Sequence, residues 1–336
     1  MTKISKINVY ANSIGWLFDD LKARFAEVNL PGIQVIVSDQ PDPQCDAWIA
    51  VRSKEIGLAP DLSRTVACIH DMRHGEDVYQ PGGERGAVSE VGAIVLSHPQ
   101  QRDILAQYGI DVKRPIILDR PLGALADFTC RESMPNQFTV GCIGRDSPRK
   151  RFDWTLPIAK ILAQNDISCH FELLGNELEP HVAELSNAGI SCAHYPRHSY
   201  PYSEYPKRYQ SMDCLLITSH SEAGPLTLFE SLACGVPAVS TPVGWAPIFE
   251  AREPQLVRTA DSVEGLAQQL IKVYHQRQQL FERRQDTRAL ISDYQLDDWF
   301  VHVLNLAVYL HTRNPEYLAQ LDSHQLSAEE SLLPAR

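Results

Sequence analysis

Residues 219–244 read SHSEAGPLTLFESLACGVPAVSTPVG, and their pattern decides the fold. Two glutamates, Glu222 and Glu230, stand eight positions apart, with a Gly-Pro step and an apolar run between them. Pro225 suits the first position of a helix, where its missing N–H would have no partner anyway. Leu226, Phe229, Leu232 and Ala233 fall at helical spacing and form a stripe toward a sheet. Gly235 fits the position just past the helix end, and Pro237 bars continuation. The flanking runs CLLITS (214–219) and VPAVST (236–241) read as buried strands. Strand, loop, helix and strand in this order form the repeating unit of a parallel sheet. Glu222 is then expected in the loop at the carboxyl edge of that sheet, with Glu230 facing the same crevice from inside the helix.

Such a helix start suits an anionic, hydroxyl-bearing ligand. The N–H groups near Leu226, Thr227 and Leu228 and the helix dipole favour an anion such as a diphosphate. A carboxylate accepts two hydroxyl hydrogen bonds, which suits a sugar or a ribose diol. One helix start therefore offers places for a hexose at Glu222, phosphates at the N-terminus and a ribose at Glu230. The competing reading is an ordinary capped helix with two solvated glutamates.

A second stretch, FTVGCIGRDSPRKRFD (138–153), ends a strand at Gly144 and opens a basic loop. Before Phe152, Arg145, Arg149, Lys150 and Arg151 against Asp146 give a local net charge of +3. Cations there neutralise a diphosphate and stabilise it as a leaving group. A solvated basic loop is the alternative.

The chain has 336 residues, more than one core usually serves, so two domains are expected. A formal net charge of −11 argues against general nucleic-acid binding and against a strongly anionic membrane face. Eight cysteines are scattered without a CxxC pair, which reads as free thiols in a reducing compartment. The N-terminus enters a strand directly, and no apolar run approaches the ~18 residues that span a bilayer, so a soluble cytoplasmic protein is expected.

Short apolar strands alternate with helical stretches from end to end. The polar run TCRESMPNQ (129–137) reads as a linker between two such halves. Residues 1–128 then form one Rossmann-like domain and 138–295 another, each a doubly wound parallel sheet of an α/β protein. Residues 296–312 read as an apolar helix and 313–336 as a weakly helical or frayed tail.

At these residues the sequence resembles the retaining glycosyltransferases of family four, which have the GT-B fold, two Rossmann-like domains facing a central cleft. EAGPLTLFESLACGVPAV looks like the family's E-x-x-x-x-x-x-x-E donor motif, followed by a small-residue helix and G-x-P. GRDSPRK looks like its G-R-x-x-x-x-K diphosphate motif. The match is good over about 138–250 and weaker over 1–128. The resemblance implies that Glu222 touches the donor sugar and Glu230 the ribose. It implies that Arg145 and Lys150 hold the diphosphate, with Gly144 beside them, and that Gly224, Pro225, Leu226 and Thr227 supply backbone contacts. In the first half, Gly15 matches a glycine loop that faces the diphosphate, and His70 a histidine near the reacting sugar; a strand–helix turn and a backbone-bonded histidine are the alternatives. Tyr195 is a candidate to stack on the base, and His220 reads as structural. The helix around Trp299 is expected to cross back onto the first domain. Two departures stand out. Arg151 occupies a position where the family usually has glycine, and the first, acceptor-side domain is short.

These readings converge on transfer of a hexose from a nucleotide sugar, with UDP as the default nucleotide and GDP next, to an acceptor hydroxyl with retention of configuration. The family's mechanism is a front-face displacement in which the departing phosphate takes the acceptor's proton. No D-x-D string occurs, so no metal is expected. The acceptor stays open among saccharide, lipid-linked, protein and small-molecule classes. Two alternatives stand beside this: another GT-B enzyme, such as an epimerase or phosphorylase, and an inactive scaffold that binds nucleotide sugar.

Overall fold

The computed structural model describes residues 3–12, 17–69, 84–98, 101–107, 109, 116–119, 127–200, 202–222, 224, 226–292, 294, 296–319 and 326–327. Two compact units emerge, one from residues 1–122 with 296–336, the other from 123–295.

The first unit holds strands β1 (Lys6–Tyr10), β2 (Gln34–Ser38), β3 (Ala47–Ala50), β4 (Thr65–Ile69), β5 (Ala93–Leu96) and β6 (Ile116–Asp119). All six pair in parallel, in the order β6-β5-β4-β3-β1-β2. Their sequences are near-continuous apolar runs, because a parallel sheet is covered on both faces. The helix Leu296–Thr312 packs against β3 and β4 within this unit. It buries Trp299 and Phe300 against Phe25, at ring separations of 5.7 and 4.8 Å.

Within the segment 313–336, expected to be weakly helical or frayed, the described residues include a short helix and a short strand. The helix Glu316–Ala319 is followed by a thirteenth strand, Leu326–Ser327, which pairs antiparallel with β6. The chain's polar composition there hides a sheet edge that needs a partner.

The second unit holds β7 (Phe138–Ile143), β8 (Cys169–Leu174), β9 (Ser191–Tyr195), β10 (Cys214–Ile217), β11 (Ala238–Ser240) and β12 (Val257–Thr259). They form an all-parallel sheet in the order β12-β11-β10-β7-β8-β9. The order reverses between β7 and β10, so the loops that follow these two strands diverge to opposite faces. The crevice at such a switch point is where open α/β sheets bind ligands.

Residues 129–137, expected to be a linker, pack as part of the second unit. Arg131 is 2% exposed, its backbone N–H donates to Cys234 O and its guanidinium to Met212 O. Arg277 and Arg288 donate to the carbonyls of Pro135 and Phe128. Polar composition suggested solvent, whereas these polar groups are satisfied by arginines from distant helices. The eight cysteines are all free thiols, six of them buried. Among the described residues, no helix is long and apolar enough to cross a membrane.

Candidate donor-phosphate site

The site is assembled from the two loops that diverge at the switch point. After β7 the chain passes Gly144, whose φ of 155° lies outside the range that side chains favour. Gly175, after β8, lies against it so closely that a Cβ there would come 1.8 Å from Gly144 O. This contact lets Gly144 N–H donate to Leu174 O and Asp146 N–H to Asn176 O. The other side of the loop is tied to the end of β10. Thr218 Oγ1 donates to Lys150 O, and His220 N–H donates to Arg149 O, both at 2.7 Å.

With the backbone fixed on both sides, Lys150 and Arg149 meet Glu222, 72 residues further on. Lys150 Nζ lies 2.6 Å from Glu222 Oε1, and Arg149 Nη1 lies 2.7 Å from Oε2. Ser219 Oγ donates to Oε1 at 2.7 Å. The Glu222 side chain is only 8% exposed, against 17% for Lys150 and 39% for Arg149. Burial alone pushes the Glu222 carboxyl upward. The opposing charges of Lys150 and Arg149, with the Lys150 and Ser219 hydrogen bonds, outweigh it and hold the carboxyl below its ordinary value of 4.5.

A depressed carboxyl contributes stability above its unfolded value and loses it as pH falls through the folded one. The stability difference between wild type and Glu222→Gln should therefore be level from about pH 6 to 8 and shrink below about pH 4. Chemical denaturation at a series of pH values checks this. A gap that widens on acidification would contradict the assignment.

The sequence placed Arg145 at the phosphate position, but it points elsewhere. Its guanidinium makes a two-pronged, exposed pair with Glu177 at 2.8 and 3.1 Å. Arg149 takes the place beside Lys150. The sequence counted it among the cations that neutralise a diphosphate but did not single it out, since adjacent residues in a turn point in different directions. Arg151 adopts φ 51° and ψ 44°, the left-handed conformation that glycine enters most easily, with its guanidinium 4.6 Å from the Trp154 ring.

Glu230 and Tyr195 also differ from expectation. The helix Leu226–Ala233 is buried from Leu228 onward rather than along one stripe, and Glu230 with it. Glu230 is 2% exposed and accepts a 2.5 Å hydrogen bond from Tyr209 Oη. It does not line an open crevice wall. The missed partner, Tyr209, comes from a separate helix, Tyr205–Gln210, and no local spacing announces it. Tyr195, at the end of β9, is covered by Arg208, whose guanidinium lies 4.7 Å from its ring and donates to its hydroxyl. Gly224 takes φ 108° at the entry to the helix, and Leu226 and Thr227 form its first residues. Gly15, His70 and Pro225 lie outside the described residues.

Residues 137–276 match the family model described as glycosyl transferases group 1. No curated protein sequence matches the chain. By structure the chain is similar to a variant of S. aureus TarM solved in complex with UDP, at 14% identity and a TM-score of 0.60, over 80% of this chain and 56% of that one. It is similar to Anabaena HepE in complex with UDP and glucose, at 14% identity and a TM-score of 0.63, over 94% of this chain and 100% of that one. It is also similar to sucrose-phosphate synthase from Thermosynechococcus elongatus, at 11% identity and a TM-score of 0.68, over 92% of this chain and 100% of that one. The chain thus spans little more than half the length of TarM. Its two parallel-sheet units have the fold of the GT-B glycosyltransferases, and its second unit carries the group 1 glycosyltransferase match.

Proposed function

We propose that the chain transfers a hexose from a UDP-sugar to an acceptor hydroxyl with retention of configuration. The observation that supports this best is the convergence of Lys150 and Arg149 on Glu222 at the switch point of the second sheet. Two fixed cations beside a helix start suit a diphosphate that gains charge as the sugar departs. Glu222 is assigned the hydroxyls of the sugar. Glu230 is assigned the ribose, since a carboxylate accepts hydrogen bonds from hydroxyls.

Retention fits the character of Glu222. A carboxylate hydrogen-bonded to Lys150, ion-paired with Arg149 and held below its ordinary range is a weak nucleophile. A front-face displacement needs none. The acceptor oxygen bonds to the anomeric carbon as the phosphate oxygen leaves, and that oxygen takes the acceptor's proton. Binding energy goes to the charge that grows on the leaving group.

The direct test is release of UDP from a panel of UDP-hexoses, with and without saccharide, lipid-linked, protein and small-molecule acceptors. Acceptor-dependent release with an unchanged anomeric configuration by NMR supports the reading. An inverted product, or no turnover over the whole panel, would reject it. Because Lys150 and Arg149 supply the positive charge, activity should survive EDTA without loss. Abolition by EDTA and recovery with Mg²⁺ or Mn²⁺ would show that a metal carries the leaving group instead.

A further inference from the structure

From the geometry around Glu222 we infer a second role for this residue, resting on the donor reading above: it is an internal counter-anion that weakens binding of the spent nucleoside diphosphate. Glu222 occupies both cations that a diphosphate needs, Lys150 at 2.6 Å and Arg149 at 2.7 Å. An incoming diphosphate must draw them away from a carboxylate that is 8% exposed. Glu222 does not move off with the cations. Its Oε1 stays tethered by Ser219 Oγ, whose own carbonyl is held by Thr241 Oγ1. A carboxylate released from its cations in so dry a place loses heavily unless other donors replace them.

The donor and the product differ in what they offer in exchange. A sugar diphosphate ester brings hydroxyl donors to Glu222 as it takes the cations. The bare diphosphate brings none. It also carries extra negative charge at neutral pH, because its terminal phosphate ionises again with a pKa of about 6. By charge alone the product would bind a cationic site better than the donor and stall the enzyme. Glu222 opposes that extra charge and leaves the product without compensation. Selectivity for donor over product is then built by repulsion as well as by contact.

The test is calorimetric titration of UDP, UDP-glucose and inorganic pyrophosphate into the wild-type chain, Glu222→Gln and Glu222→Asp, at low and high salt. UDP should bind Glu222→Gln about five- to tenfold more tightly than wild type, the scale of one partly screened charge contact. UDP-glucose should gain less than UDP or lose affinity, so the preference for donor falls. The gain for UDP should shrink at high salt. Glu222→Asp, one methylene shorter and unable to span both cations, should show a smaller gain of the same sign. It carries the test if Glu222→Gln does not fold. UDP binding that is unchanged or weaker in the folded variants overturns the inference while leaving the donor reading intact. A wild-type chain that binds neither UDP nor pyrophosphate overturns the donor reading itself, and this inference with it.

Discussion

Lys150→Ala should lower turnover by about 10²–10³-fold, the loss seen when one preorganised group facing a developing anion is removed. The expectation rests on how firmly the ammonium is placed. The backbone of Lys150 donates to Ser147 O at 2.9 Å and accepts from Thr218 Oγ1 at 2.7 Å. Nζ then has a fixed reach to the edge of β10, where Glu222 marks its position at 2.6 Å. An ammonium held before substrate arrives needs no reorganisation as charge develops on the leaving phosphate. The fold should tolerate the change, because Glu222 keeps Arg149 and Ser219. Turnover should therefore fall far more than thermal stability. Steady-state kinetics with whichever UDP-hexose of the panel supports turnover checks it. A fall in kcat at similar KM places Lys150 in the transition state, and unchanged turnover removes it from the mechanism.

How much of this was legible in the sequence varies residue by residue. Glu222 and Lys150 were readable because each follows a short apolar run that reads as a buried strand, and both runs end at the carboxyl edge of the same sheet. What joined them was topology: β7 and β10 are neighbours at the centre of the sheet although 72 residues separate the two side chains. Choosing between Arg145 and Arg149 was beyond the sequence. The turn geometry sends Arg145 toward Glu177, a residue itself in the left-handed region at φ 65°. The burial of Glu230 was not legible for a related reason. Helical spacing reports which face a residue shares, but the Tyr209 hydroxyl that buries it arrives from another helix. Residues 129–137 were misread because polar composition does not distinguish water from arginine as the hydrogen-bonding partner. The left-handed backbone of Arg151 was not read from the sequence, where the residue stood only as a departure from the family's usual glycine.

Asp213→Ala should destabilise the second unit by about 3–5 kcal/mol, the range for removing one partner of a buried ionic network. Asp213 lies just before β10, at the end of the sheet opposite Glu222, and its side chain is 1% exposed. It accepts from Thr139 N–H at 2.9 Å and from Arg277 Nη2 at 2.9 Å, and it lies 4.0 Å from Arg131 Nη1. Through these partners one carboxylate joins β7, β10, the helix Arg277–Glu282 and the segment that follows Phe128. Without it, the 1%-exposed Arg131 side chain keeps its charge in a medium that cannot solvate it, with only the Met212 carbonyl as a strong partner. For a unit of this size the loss corresponds to a fall in Tm of roughly 10 °C. Asp213→Asn retains the shape and an acceptor for Thr139 N–H while removing the charge, so its loss should be smaller but still measurable. Since Asp213 touches nothing at the phosphate end, turnover per folded molecule should stay at the wild-type level well below Tm. A Tm shift under about 2 °C for Asp213→Ala would mean that water enters to solvate Arg131 and that the network holds the segment by packing alone.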